Sequence, residues 1–137
     1  ALKEEIKQYL LDLGMEVEDM GAFAFDADDD YPDFVRPAAQ AVANDPERSR
    51  GIVLGGSGQG EAIAANKVQG IRAAVYYGGS LDIVKLSRAH NDVNILSLGA
   101  RFLTVDQAKD AVRLWLETPF EGGRHERRIN KIKGFEK

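Results

Sequence analysis

At 137 residues, with a formal net charge of -4, 44% apolar side chains and no cysteine, the chain has the composition of one globular domain, and disulfides and thiolate zinc sites are excluded. No apolar run approaches the roughly 20 residues a membrane helix needs, and the start Ala1-Leu2-Lys3-Glu4-Glu5-Ile6 lacks the form of a signal peptide, so the cytoplasm is the expected location. With only His90 and His125 a histidine-rich metal site is not expected either, and any catalysis is expected to run without a bound metal.

Helix and strand patterns alternate with short connections, the signature of a parallel α/β sheet in a single domain over residues 1–137. Leu2, Ile6, Tyr9, Leu10 and Leu13 recur at helical spacing, and Gly14 follows as a natural stop. A short strand, Met15 to Met20, is expected next. Residues 21 to 31 read as a loop in which Asp26, Asp28, Asp29 and Asp30 crowd together. It lacks the central glycine and closing glutamate of a calcium loop, so it reads as solvated acidic surface. A second helix is expected to start near Tyr31-Pro32-Asp33 and to bury Phe34, Val35, Ala38 and Val42, with Pro37 tolerated only in or near the first turn. Gly51 to Leu54 reads as a buried strand.

That strand runs into Gly55-Gly56-Ser57-Gly58-Gln59-Gly60-Glu61, a loop almost without side chains. It opens a helix carrying Ile63, Ala64 and Ala65 and closing at a surface lysine, Lys67. Exposed backbone amides, with the positive end of the helix dipole behind them, form a site for a phosphate, an enolate or another oxyanion. Glu61 is the anomaly. One turn into the helix, its carboxylate would repel a phosphate, yet it is placed to take a proton from a substrate whose charge the amides then hold. Proton transfer beside a carbonyl fits that pattern. Structural roles compete with it: Ser57 as helix N-cap, and Glu61 as a favourable partner of the dipole.

Ile71 to Tyr76 is the next expected strand and Gly79 to Ala89 the next helix, with Leu81, Val84, Leu86 and Ile83 as candidates for its apolar face. His90-Asn91-Asp92 interrupts the pattern. The strand Asn94 to Leu98 ends in Gly99-Ala100-Arg101, which sets Arg101 just beyond the carboxyl end of a strand, where open α/β sheets bind ligands. Thr104-Val105-Asp106-Gln107 reads as a capping box. The helix it starts has Ala108, Ala111, Val112, Trp115 and Leu116 as its buried stripe, with Trp115 assigned to the core.

After Thr118-Pro119 the chain turns basic: the formal charge is -7 for residues 1 to 120 and +3 for the tail, where a basic helix is expected over about 121–137. The tail has no interleaved aromatics and the rest of the molecule is acidic, which favours a small anionic ligand over nucleic acid. Arg124 and Arg128 share a helix face and offer forked donors that suit a phosphate. The glycine loop, His90, Asn91, Arg101 and this arginine pair are expected to converge on one edge of the sheet. The bland alternative is a structural loop histidine and solvating surface arginines.

On these residues the chain resembles the ribose-5-phosphate isomerase type B family, which also includes galactose-6-phosphate isomerase subunits. The matching pieces are Gly-Gly-Ser-Gly-Gln-Gly-Glu with Ala-Ile-Ala-Ala-Asn-Lys (55 to 67), Gly-Ile-Arg-Ala-Ala (70 to 74), Arg-Ala-His-Asn-Asp (88 to 92), Leu-Gly-Ala-Arg (98 to 101) and Thr-Pro-Phe-Glu-Gly-Gly-Arg-His-Glu-Arg-Arg (118 to 128). The likeness runs nearly end to end. In contrast, the glycine loop fits neither GxxxxGK[ST] nor a clean GxGxxG, which weighs against a nucleotide cofactor.

The resemblance implies a three-layer, Rossmann-like α/β fold with strand order 2-1-3-4-5. It also implies aldose-ketose isomerisation of a sugar phosphate through a cis-enediolate, without cofactor or metal. Glu61 would be the base, in a branch where Gly55 replaces the cysteine that many members carry. Ser57 and the amides of Gly56, Ser57, Gly58, Gln59 and Gly60 would hold the enediolate oxygens. His90 would be the acid that opens the sugar ring, Asn91 would bind sugar oxygens, and Arg101, Arg124 and Arg128 would bind the phosphate. Family sites are built across a dimer interface with the His-Asn pair from the neighbouring subunit, so a homodimer or higher homo-oligomer is expected, with the tail reaching the partner.

Family members also begin with a central strand ending in an Asp-His pair, which this sequence lacks. That strand is expected upstream of Ala1, and without it Met15 to Met20 would have no hydrogen-bond partner. Ribose 5-phosphate and ribulose 5-phosphate are the leading substrate pair. An isomerase of six-carbon or modified sugar phosphates and a non-catalytic sugar-phosphate binding protein are the alternatives.

Overall fold

The computed structural model describes residues 2–20 and 30–136. Three parallel strands, β1 (Gly51–Gly55), β2 (Ala73–Tyr76) and β3 (Ile95–Gly99), stand in the order β1-β3-β2, with Gly51 and Ala73 both opposite Ile95. The last strand is therefore the middle one, which corrects the expected order. Burial explains it: every residue of β3 is buried, as a strand flanked on both sides and both faces must be, whereas only Tyr76 is buried in β2. The outer edge of β2 is closed at its start by Asn66. Its side-chain amide donates to the Ala73 carbonyl at 3.1 Å and accepts the Ala73 N–H at 2.7 Å, as a neighbouring strand would.

From β1 the chain steps two places across to β2 and then one place back to β3. Right-handed crossovers in opposite directions put α3 (Gln59–Asn66) and α4 (Asp82–Ala89) on opposite faces. On one face α2 (Pro32–Asn44) joins α3, and Val35, Ala39, Val42 and Ala65 pack with Val53, Ile71 and Ile95. On the other, α1 (Leu2–Asp12) and α5 (Val105–Glu117) join α4, so that Ile6, Val84, Val112 and Trp115 pack with Tyr76, Leu96 and Leu98. This is the expected three-layer, Rossmann-like α/β arrangement. A final helix, α6 (Arg124–Lys133), buries Ile129.

Local chemistry accounts for the helix ends. Gly14, at φ +83°, closes α1 with its N–H on the Leu11 carbonyl and that of Met15 on the Leu10 carbonyl, the paired bonds of a left-handed cap. Thr104 and Gln107 form the expected capping box at α5, with the Gln107 N–H on Thr104 Oγ1 at 3.1 Å and the Thr104 N–H on Gln107 Oε1 at 2.8 Å. Trp115 is buried, and its indole N–H donates to the Val93 carbonyl at 3.1 Å.

Other expectations change. Met15 to Met20 is not a strand. A ladder needs a partner, and among the described residues β3 is the only strand paired with β1. Instead, residues 15–20 and the segment from Gly51 to Leu54 line a groove of about 1300 Å³, and Lys3 and Lys7 tether the stretch through Asp19 at 2.8 and 3.5 Å. Pro37 lies in the second turn of α2 rather than the first. The missing N–H costs a helical bond, and burial of Val35, Ala39 and Val42 around it offsets that loss. Ala39 takes the fully buried place expected of Ala38. Ile63, Ile83 and Leu86 are exposed, because α3 turns Ala62 and Ala65 inward and α4 turns Val84, Ser87 and Arg88 inward. Asp26, Asp28 and Asp29 lie outside the described residues. Among those described, no helix is long and apolar enough to cross a membrane.

Candidate active site

After β1 the chain bends through Gly56 and Ser57 to Gly58, the N-cap of α3 at φ +79°. A Cβ at Gly58 would stand 3.0 Å from Ser97 Oγ and 3.1 Å from the Leu98 carbonyl carbon in a left-handed backbone, so glycine alone fits. The Ser97 hydroxyl donates to the Gly58 carbonyl at 2.7 Å, and the Arg101 N–H donates to the Gly56 carbonyl at 3.0 Å. The first bond fixes the loop to the central strand and the second to the short turn that follows it. The cap sits one residue later than a Ser57 cap would put it, while Ser57 Oγ accepts the Gln59 N–H at 3.3 Å. The following first-turn amides have no acceptor within the helix and carry its positive dipole end. β1 feeds α3 on one face and β3 feeds α5 on the other, so this loop marks the crevice where open α/β sheets bind ligands.

Glu61, the third residue of α3, is half-buried, and its side chain lines the groove. Its carboxylate folds back against Gly55, where a Cβ would collide with it. Arg101 is exposed and lies over Gly56, where a Cβ would stand 3.1 Å from Nη2. Tyr31, the N-cap of α2, sets its hydroxyl against Gly60, where a Cβ would strike it. One loop thus gathers a carboxylate, first-turn backbone amides, a guanidinium and a phenol. At the level of sequence Tyr31 marks only a helix start, and its place before Pro32 does not reveal which loop the ring reaches.

His90, Asn91, Arg124 and Arg128 are elsewhere. Asn94, just before β3, accepts the Gly51 N–H through its carbonyl, so the residues preceding it stand at the amino end of the sheet. Gly55 and Gly99 pair at the carboxyl end, about 13 Å along β3 from Ile95 at roughly 3.3 Å per residue. The expected convergence on one edge therefore does not occur within one chain: His90 is cut off from Glu61 by the length of the strands.

At that amino end the Glu121 N–H donates to the Ala89 carbonyl at 2.9 Å, drawing the tail against His90. The His90 and His125 rings stack with centroids 4.1 Å apart and planes 11° from parallel, and Glu121 Oε1 lies 3.7 Å from His90 Nε2 and 3.8 Å from His125 Nε2. The His125 pKa is pushed below the ordinary imidazole value, first by desolvation and then by the charges of His90, Arg124 and Arg128, with Glu121 acting in the opposite sense. Arg124, Arg128 and Asn91 are exposed beside this cluster. Sequence reasoning gave no separate role to Glu121 and His125, though their i,i+4 spacing was the available signal.

Asp92 holds the turn that carries His90 and Asn91. It occupies a left-handed backbone conformation at φ +46°, and its carboxylate accepts from Arg88 Nη1 at 2.7 Å and from Arg72 Nη2 at 3.3 Å. The buried Arg88 also donates to the Val93 carbonyl at 2.8 Å, so its charge is both paired and hydrogen-bonded.

A family model described as Ribose/Galactose Isomerase matches residues 1–132. Ribose-5-phosphate isomerase B of Mycolicibacterium paratuberculosis is 44% identical over 137 residues, covering 99% of this chain and 84% of the relative. A structure of Clostridium thermocellum ribose-5-phosphate isomerase B superposes with a TM-score of 0.91 at 47% identity, covering 98% of this chain and 88% of the other. The Mycoplasma genitalium ribose-5-phosphate isomerase B structure, with bound ribulose-5-phosphate, gives a TM-score of 0.94 at 41% identity, again over 98% and 88%. With its glycine loop, its α/β layers and these matches along almost its whole length, the chain belongs to the ribose/galactose isomerase family.

Proposed function

We propose that this protein interconverts ribose 5-phosphate and ribulose 5-phosphate with Glu61 as the base. The observation that carries the reading is the Glu61 carboxylate, half-buried and folded back against Gly55 beside a loop of helix-terminal amides. The relative with bound ribulose-5-phosphate supports the substrate class.

In the open-chain aldose, Glu61 takes the proton from C2. The C–H electrons become the C1–C2 double bond, and the carbonyl electrons move to O1. The loop amides and Ser57 hold the developing negative charge, a contribution of about 10²- to 10³-fold for one such donor. Glu61 then returns the proton to C1 while O2 becomes the ketose carbonyl, with its hydroxyl proton passing to O1. His90 serves as the acid that opens the ring, and Asn91 binds sugar oxygens. Arg101, Arg124 and Arg128 hold the phosphate, whose binding energy orients carbons remote from it.

The separation of Glu61 from His90 within one chain supports a two-copy site, in which the carboxyl end of one sheet meets the amino end of the other. A homodimer is then the smallest active unit. The family description, which names galactose beside ribose, keeps a six-carbon sugar phosphate as the second reading. A coupled isomerase assay across aldose phosphates tests both. Ribose 5-phosphate should give a kcat/KM at least about tenfold above any six-carbon substrate, the lower end of what one extra carbon contributes to discrimination. A faster six-carbon substrate, or binding without hydrogen exchange at C2, would contradict the reading.

A further inference from the structure

We infer that His90, Glu121 and His125 form a binding site for one divalent transition-metal ion of borderline softness, such as Zn²⁺ or Cu²⁺, whose arrival shuts off the isomerase. The inhibitory half rests on the role proposed for His90; the binding half does not.

The three ligand atoms all lie within 4.8 Å of one another. A tetrahedral ion bonded at about 2.0–2.2 Å to nitrogen and oxygen sets its ligands about 3.3–3.6 Å apart. The Nε2 to Oε1 separations of 3.7 and 3.8 Å are close enough to that spacing for side-chain adjustment to reach it without backbone movement. The rings are parallel and each lone pair lies in its ring plane, so closing the set requires one imidazole to tilt toward the shared carboxylate oxygen. The backbone under them is held: the His90 N–H donates to the Leu86 carbonyl at 2.9 Å, the His125 N–H to the Gly122 carbonyl at 3.2 Å, and Glu121 is tied to Ala89.

The donor chemistry selects the ion. Two imidazoles and one carboxylate, with a fourth position open, suit Zn²⁺, Cu²⁺ or Ni²⁺ better than Mg²⁺ or Ca²⁺, which prefer oxygen cages. Solvent reaches the site, since the Glu121 side chain is 58% exposed and that of His90 37%. One carboxylate neutralises only part of the ion's charge, and Arg124 and Arg128 stand close by, so occupancy is reversible, as suits an inhibitor more than a resident cofactor. A metal on His90 removes the lone pair and proton it needs as an acid. The expectation from composition concerned histidine-rich and catalytic sites; two histidines suffice here because the fold stacks them over one carboxylate.

The test uses untagged protein titrated with Cu²⁺ and followed by electron paramagnetic resonance. Within residues 1–137 there is no cysteine and no other histidine, so coupling to two imidazole nitrogens that is lost in His125→Ala assigns the ion to this pair. One ion per chain with two-nitrogen coupling is expected. His125→Ala should abolish that signature, and Glu121→Ala should weaken binding by more than the roughly 10- to 100-fold typical of losing an outer partner. Zn²⁺ should inhibit ribose 5-phosphate turnover with the same variant dependence and release on adding EDTA. Coupling to fewer than two nitrogens, or binding unchanged in both variants, overturns the site and leaves the isomerase reading intact. Two-nitrogen binding without inhibition overturns the regulatory half and counts against His90 as the acid.

Discussion

The Glu61 carboxylate occupies the space that a side chain at Gly55 would fill: a Cβ built on Gly55 collides with all three carboxyl atoms. The two positions are six residues apart in sequence and compete for one place beside the loop amides. Under the proposed mechanism, a cysteine at position 55 and a carboxylate from position 61 would be alternative ways to put a proton acceptor at the same point. Gly55→Ala should displace Glu61, lowering kcat by about 100-fold, the scale of a 1 Å misplacement, while KM changes little. Steady-state kinetics beside a thermal melt would check it. An unchanged kcat in a folded variant would mean that Glu61 does not work from this position.

The split of the site between opposite ends of the sheet predicts complementation. Glu61→Gln and His90→Ala variants should each be nearly inactive alone. Statistical subunit exchange in a two-fold dimer should restore roughly a quarter of the parental activity, because half the dimers are mixed and each has one intact composite site. If both groups act within one chain, mixing restores nothing.

Arg128→Ala should raise KM for ribose 5-phosphate more than it lowers kcat, since a phosphate contact is made equally in ground and transition states. An unchanged KM would remove Arg128 from the phosphate site.

Asp92→Asn should destabilise the fold by about 2 kcal/mol, less than breaking a fully buried pair, because the Asp92 side chain is 36% exposed and Arg88 keeps its bond to the Val93 carbonyl. Denaturant unfolding would measure it, with a loss below about 1 kcal/mol contradicting the role given to this pair. The same variant should impair turnover, because the turn it loosens carries His90.

Much of this was legible in the residues. The Thr104-Gln107 cap, Gly14 as a stop, the core role of Trp115 and the glycine loop between strand and helix all follow from short-range chemistry. What was hidden depends on which elements become neighbours. The alternating pattern could not say that the strand ending at Gly99 stands in the middle, although its unbroken burial is the mark of that position. Met15 to Met20 has the composition of a strand, but pairing decides strandhood. His90 and Arg101 both flank the same strand, one before and one after it, and only the direction of the chain tells that they face opposite ends. Tyr31 at Gly60 and Glu121 at His90 are contacts across large sequence distances with no periodic signal, and only the i,i+4 step from Glu121 to His125 was readable.

The most direct test of the central claim is hydrogen exchange at C2 of ribose 5-phosphate in D₂O, comparing the parental protein with Glu61→Gln. The amide nearly preserves the shape of the side chain and removes its basicity. Exchange should fall by about 10³-fold, the middle of the range for a lone general base, while ribulose 5-phosphate still binds. Exchange within tenfold of the parent, in a variant that binds normally, would contradict Glu61 as the group that moves the proton.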